Sequence, residues 1–162
     1  MLNRYGSLAA FLALAVLATA AGALYEAGEW YYRALSKPAW TPPAWLHAVA
    51  WALAYVSAAL AAWQAWLSEH PARARALAWW IAMLALNITF SWLYLSLHRP
   101  GWGWLVAGLG LAVAVTCTLS FRKFSGQAAG LMTPILLWLA FLWAHTLVAW
   151  TLSGGILLRL MG

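Results

Sequence analysis

The nine basic and three acidic residues of this 162-residue chain are bunched into short runs with long uncharged stretches between them. No formal charge falls between Arg4 and Glu26, between Lys37 and Glu69, or between Arg75 and Arg99. The same holds from Arg99 to Arg122 and from Lys123 to Arg159. Each gap reaches the roughly 20 residues that an α-helix needs to cross the hydrocarbon core of a bilayer. Lipid offers no partner to an unpaired backbone N–H or C=O, so a stretch of that kind crosses as a helix. The pattern predicts an all-α membrane protein, a bundle of five transmembrane helices, and 66% hydrophobic content agrees with it.

The spans fall near residues 6–26, 43–67, 76–97, 102–121 and 128–152, in one domain covering 1–162. Arg4, the apolar run Leu8 to Leu17 and Ala18-Thr19-Ala20 also imitate a secretory signal peptide, but the reading taken is a membrane helix. Thr41 is the expected N-cap of the second helix, after which Pro42-Pro43 lead in. His98-Arg99-Pro100-Gly101 breaks the third helix from the fourth, and Ser125-Gly126 opens the approach to the fifth. Short connections make sequential helices antiparallel neighbours. Ala9 and Ala13, Ala58 and Ala62, and Gly108 and Ala112 sit four apart, which lets helices approach closely. Packing within the bundle is the first reading, with a homodimer through Gly108 and Ala112 as the alternative.

A net charge of +6 would point to nucleic acid in a soluble protein. Here the bases lie at span ends, where they anchor to lipid headgroups, so membrane lipid is the expected partner and nucleic acid is not. One set of loops holds Arg4, Arg73, Arg75, Arg122 and Lys123; the other holds Arg33, Lys37, Arg99 and Arg159, with Glu26 and Glu29 beside them. Five against four favours a cytoplasmic N-terminus. Five helical spans suggest a bacterial inner membrane or its equivalent. The lone Cys117, mid-span, excludes an internal disulfide.

Several chemistries are missing. The chain has no Asp, and its three Glu lie at or outside the span ends, which removes the intramembrane carboxylates of proton relays and ion-coupled carriers. No Gly-rich phosphate loop, Asp-ended triad, HExxH zinc site or iron–sulfur cysteine set is present. What remains is aromatic. The first connector, 27–42, is the long one, and it carries Trp30, Tyr31, Tyr32 and Trp40 with Pro38 and Pro42, followed at once by Pro43, Trp45 and Trp51. Proline-rich backbone is not ordinary helix, and a membrane edge uses aromatics only as a thin belt. Rings on a stiffened connector of this length suggest a lid over a pocket.

Helical spacing extends the pocket into the bundle. His47, Trp51 and Tyr55 share a face of the second helix, Asn87, Ser91, Tyr94 and His98 a stripe of the third with Phe90 adjacent, and Pro134, Trp138, Phe141 and His145 a stripe of the fifth. An amide such as Asn87 in hydrocarbon needs a partner across the bundle or in a ligand. Spacing alone leaves two readings open: a packed aromatic core with one interhelical hydrogen bond, or a ligand cavity. His47 and His145 are candidate ligands for haem iron, against the ordinary alternative of a hydrogen bond to a neighbouring helix. His70 and His98, at span ends, are expected to be solvated.

Tyr32, Leu35, Lys37, Pro38, Trp40, Pro42, Pro43, Trp45 and Trp51 resemble the WYxxLxKPxWxPPxWxFGxxW segment of the TspO/MBR family. Leu86-Asn87 and Ser91 match that family's LNxxWS element, Pro100-Gly101 follows at the family spacing, and Pro134 and Trp138 match PYxxW. The resemblance implies a five-helix bundle whose cavity opens toward the first loop and binds porphyrins, or in eukaryotes cholesterol and drug-like molecules. It places Trp51, Asn87, Ser91 and Trp138 on the cavity wall with His47, Phe90 and Leu142, and Tyr32, Trp40, Pro42 and Pro43 in the lid. Departures are Tyr31 for Trp, His47-Ala48-Val49 for Phe-Gly-Pro, Phe90 for Trp and Ile135 for Tyr. The region of His145 and Thr146 lacks the family's Leu-Asn, and the sterol-recognition pattern after it is absent, so sterol binding by that route is not expected.

The reading that results is a membrane protein binding tetrapyrroles as sensor, scavenger or carrier, with porphyrin or haem as ligand and no obligatory cofactor. The alternatives are light-dependent porphyrin breakdown with Trp51 and Trp138 as redox-active rings, which the resemblance implies, and a regulatory protein that binds lipid or a partner.

Overall fold

Every uncharged stretch becomes a long helix in the computed structural model, which describes residues 4–25 and 28–154. Glu26 and Arg159, which entered the charge count, lie outside the described residues. Helix α1 runs Arg4–Ala23, α2 Ala44–Leu67, α3 Arg73–Ser91 and α4 Pro100–Arg122. The last span is broken into α5, Gly126–Leu131, and α6, Thr133–Leu152. Five stretches are thus long and apolar enough to cross a membrane, and the protein is an integral, multi-pass membrane protein. Among the described residues there is no strand.

The break in the last span was not anticipated from residues 128–152. Its cause is Pro134, which brings no N–H to the ladder and sits in the first turn of α6. The chain turns at Met132, whose N–H reaches back only three residues to Ala129 O at 3.2 Å. The third span also departs from a uniform helix. It leaves α3 through a π-helical turn, Trp92–Ser96, and ends at His98 with φ 52°. The first connector contains a second π-helical turn, Trp30–Ala34, where only irregular chain was expected.

Packing closes the bundle into a ring in the order α1, α2, α5/α6, α4, α3 and back to α1, with α2 also touching α3. Lipid tails are as apolar as the side chains, so burial gives little drive between helices and close backbone approach has to do the work. Helix α2 supplies it with a buried alanine face: Ala54, Ala58, Ala59, Ala61, Ala62 and Ala65. Around that face Trp80, Met83, Phe121, Met132, Ile135 and Leu139 are fully enclosed. Gly108 has a similar role on α4, where a Cβ would lie 2.9 Å from Trp143 Nε1 of α6 in the same chain.

The helix ends at this half are tied by polar side chains. Trp63 Nε1 donates to Ser7 Oγ at 3.2 Å, joining α2 to α1. Arg73 donates to Ser68 O at 3.0 Å and lies 5.3 Å from the centre of the Trp66 ring, holding the α2–α3 turn. His70 is not freely solvated: it is half-buried, stacks on Phe124 at 5.1 Å, and its Nδ1 accepts from Ala72 N–H at 3.1 Å. Dense packing stops about midway along the bundle. Toward the other end the helices splay beneath the first connector, and a cavity opens.

Candidate functional site: an aromatic cavity under the first connector

The cavity has a volume of about 590 Å³, within the range of sites for drug-sized ligands. Three spans and the connector build it. Helix α2 contributes Ala44, His47, Ala48 and Trp51; the end of the third span contributes Phe90, Ser91, Tyr94 and Leu95; α6 contributes Leu142, His145 and Thr146. The connector closes it with Tyr31, Tyr32, Lys37, Thr41, Pro42 and Pro43. Of the residues singled out in the sequence, Tyr32, Pro42, Pro43, His47, Trp51, Phe90, Ser91 and Leu142 reach this surface.

Three others stand one layer back. Trp138 lies edge-on behind both Trp51, 5.8 Å away, and His47, 4.8 Å away, and its buried Nε1 has no partner. Asn87 is a turn below Ser91, 5% exposed, with Nδ2 unpartnered. Trp40 turns outward and covers Phe141 and His145 at 5.6 and 5.4 Å from outside. Helical spacing put Asn87 and Trp138 on stripes that also carry wall residues, and Trp40 was expected in the lid, but none of the three lines the cavity.

The wall is ordered by ring-on-ring contact. Trp51 stacks on Tyr55 at 5.1 Å, Phe90 on Tyr94 at 5.2 Å, and Trp138 on Phe141 at 5.0 Å. Such pairs add ~0.5–1.5 kcal/mol each beyond area. The connector is fastened at both ends. Trp30 stacks on His98 at 4.6 Å and meets Tyr94 edge-on at 5.9 Å, while Leu35 is buried with Phe90 and Tyr94. His98 is therefore exposed yet engaged, since its ring carries the Trp30 indole.

The second fastening is Thr41. Pro43 extends into α2 as its N-cap without any side-chain bond, so Thr41 is not the cap expected from the sequence. Its hydroxyl donates instead to Pro38 O at 2.6 Å. A hydroxyl has one proton, so its 3.0 Å contact with His145 Nε2 must be one in which it accepts. His145 is thus the Nε2–H tautomer, and that nitrogen is committed to the connector. His47 differs, since its ring nitrogens have no hydrogen bond among the described residues and its ring faces the cavity. No cluster of three or more His, Cys, Asp or Glu able to hold a metal ion occurs among the described residues.

Lys37 is the charged group on the wall, and it was missed as a site residue although it ends the charge run before a long apolar span. Its Nζ donates to Tyr31 O and, at 3.4 Å, to Leu35 O, and it lies 4.7 Å from the Tyr31 ring centre. These partners are uncharged, and among the described residues no carboxylate pairs with it. Beside it, burial raises the Tyr31 phenol above its ordinary value, with Tyr32 adding to the effect, so Tyr31 stays a neutral donor. The buried hydroxyls of Tyr94 and Thr146 also lack partners. The arrangement is an aromatic-lined cavity with partnerless hydroxyls at Tyr94 and Thr146 and one ammonium that no carboxylate pairs among the described residues.

The model of the TspO/MBR family matches residues 9–151. "Protein CrtK" of Rhodobacter capsulatus is 31% identical over 150 residues, covering 91% of this chain and 92% of that protein. "Tryptophan-rich protein TspO" of Archaeoglobus fulgidus is 34% identical over 131 residues, 79% of this chain and 85% of its own. "Translocator protein" of Bos taurus is 30% identical over 125 residues, 74% of each chain.

Proposed function

The chain belongs to the TspO/MBR family, and from that premise we propose that its cavity binds a flat, anionic, π-rich ligand of the tetrapyrrole class. The observation that carries this reading is the gathering of the Tyr31, Trp51, Phe90 and Tyr94 rings on one cavity lining with the Lys37 ammonium, which no carboxylate pairs among the described residues. Ring faces suit a macrocycle, and the lysine suits carboxylates at one edge of it. With no intramembrane carboxylate among the described residues to couple movement to ions, the role is that of sensor, scavenger or carrier in the membrane. A bacterial inner membrane fits the Rhodobacter relative.

For haem, the wall offers His47, whose ring nitrogens carry no hydrogen bond among the described residues. A Soret band that moves on haem addition and fails to move in His47→Ala supports this; a band indifferent to His47 removes it.

Titrating protoporphyrin IX in the dark into detergent-solubilised protein, following tryptophan quenching and Soret absorption, tests the main reading. Trp51→Ala should weaken binding. Lys37→Gln should weaken the dicarboxylate by ~3–10-fold, on the order of 1 kcal/mol, and leave the dimethyl ester unchanged. No saturable binding, or equal loss for acid and ester, counts against the proposal.

A light-dependent reading has its own observation, the succession of Trp51 on the wall and Trp138 5.8 Å behind it, which gives an oxidised wall ring a neighbour to draw on. With dioxygen as oxidant, a defined tetrapyrrole product should form under illumination and disappear in Trp51→Phe. Product that persists in that variant leaves binding as the function.

A further inference from the structure

A second cavity of about 360 Å³ adjoins the first. It is bounded by Ala18, Thr19 and Gly22 of α1 and by Ala52 and Tyr55 of α2. Four residues belong to both cavities: Ala48, Trp51, Ser91 and Leu95. Trp51 is the largest of them, so its indole forms most of the partition between the two spaces.

The second cavity opens sideways. Thr19, Ala23, Ala48 and Ala52 on its rim are exposed, and all four belong to helices α1 and α2, which cross the membrane. From Ala44 at the start of α2 to Tyr55 at the back of the cavity is on the order of 16 Å along the helix. The opening therefore faces lipid tails. Two of its hydroxyls are spent locally: Thr19 Oγ1 donates to Ala15 O at 2.9 Å and Ser91 Oγ to Asn87 O at 3.3 Å. Trp51, by contrast, is held by ring contacts and apolar packing against the core, with no hydrogen bond among the described residues. The route through the connector is fastened by Thr41, Leu35 and the Trp30–His98 stack.

We propose that the second cavity is a bilayer-side entrance to the main cavity, through which the flat, π-rich ligand passes from the lipid phase when the Trp51 ring turns aside. The proposal rests on the tetrapyrrole reading for its probe and adds the path, the phase of origin and the gate.

The α1–α3 seam at this cavity offers a direct test. A Cβ built on Gly22 would lie 3.9 Å from Ser91 Cβ, inside the range spanned by disulfides. The double variant Gly22→Cys/Ser91→Cys, with the buried Cys117 changed to Ala, is reconstituted in vesicles loaded with protoporphyrin IX. Stopped-flow tryptophan quenching then gives the rate of transfer from lipid to protein. Oxidation should slow transfer at least tenfold while the amount bound at saturation stays the same, and reduction should restore the rate. Ala52→Phe, which narrows the second cavity without touching the first, should slow transfer in the same direction, and it serves if the disulfide variant fails to fold. Saturable binding with equal rates in oxidised and reduced protein and in Ala52→Phe overturns the entrance alone. Absence of saturable binding in the parent chain overturns the tetrapyrrole reading and the entrance with it.

Discussion

Thr41 shows how much of this site hangs on single atoms. Its hydroxyl gives its proton to Pro38 and takes one from His145, tying the connector to α6. His145 is 2% exposed, so Thr41→Val leaves a buried imidazole N–H without a partner, which costs ~1–3 kcal/mol. His145→Leu removes donor and acceptor demand together and should cost less. Thermal unfolding in detergent, with hydrogen exchange over residues 37–43, would check that order; equal effects would mean the bond contributes nothing. Gly103 makes a second case. A Cβ there would sit 2.8 Å from Tyr94 Cδ2 and 3.1 Å from its Cβ. Gly103→Ala must therefore push Tyr94 toward the cavity or part α4 from the third span, a strain of ~1–3 kcal/mol. It should weaken protoporphyrin binding although residue 103 does not touch the cavity. Gly110→Ala, whose nearest neighbours would be at 3.9 Å, is the matched control and should bind normally.

At the scale of elements, charge spacing located the five crossings because lipid permits little else, and the observed helices begin and end within a few residues of the expected positions. What spacing missed is where those helices stop being regular. Pro134 could have been read as a break, since proline removes a ladder bond wherever it falls. The π-helical turns at Trp30–Ala34 and Trp92–Ser96 left no such mark, because they arise where the Trp30, Tyr31, Phe90 and Tyr94 rings pack against one another. The exit of the third span is where this irregularity concentrates. His98 has φ 52°, a conformation that costs an L-residue with a Cβ ~1–2 kcal/mol. His98→Gly and His98→Val both lose the stack on Trp30, but only the valine keeps the backbone penalty. The glycine variant should therefore be the more stable by ~1–2 kcal/mol in thermal or denaturant unfolding. If the two unfold alike, the turn at 98 is not strained.

At the scale of the whole molecule, the bundle has two halves with different tasks. The half around Ala58 to Ala65, Trp80 and Phe121 buries its small and large side chains against one another, whereas the half beneath the connector encloses about 590 Å³. The motif residues were legible as a group because an aromatic, proline-rich connector has few other uses. Their depth was not, because Asn87 shares a stripe with Ser91 and Trp138 a stripe with His145, yet only Ser91 and His145 of these four line the cavity. A cavity of this size leaves its wall atoms without contacts on one side, so a ligand that fills it supplies packing the protein alone lacks. A ligand that binds only the folded state at 100 times its Kd adds ~2.7 kcal/mol. That gain should be local in origin. With protoporphyrin IX bound, hydrogen exchange should slow from Trp30 to Pro43 and in the first turns of α2, and stay unchanged from Ala58 to Ala65, the stretch that carries the buried alanine face. Protection confined to the far half would place the ligand outside the aromatic slot. Uniform protection would mean that the bundle unfolds as one unit, so that binding is felt everywhere through the global equilibrium.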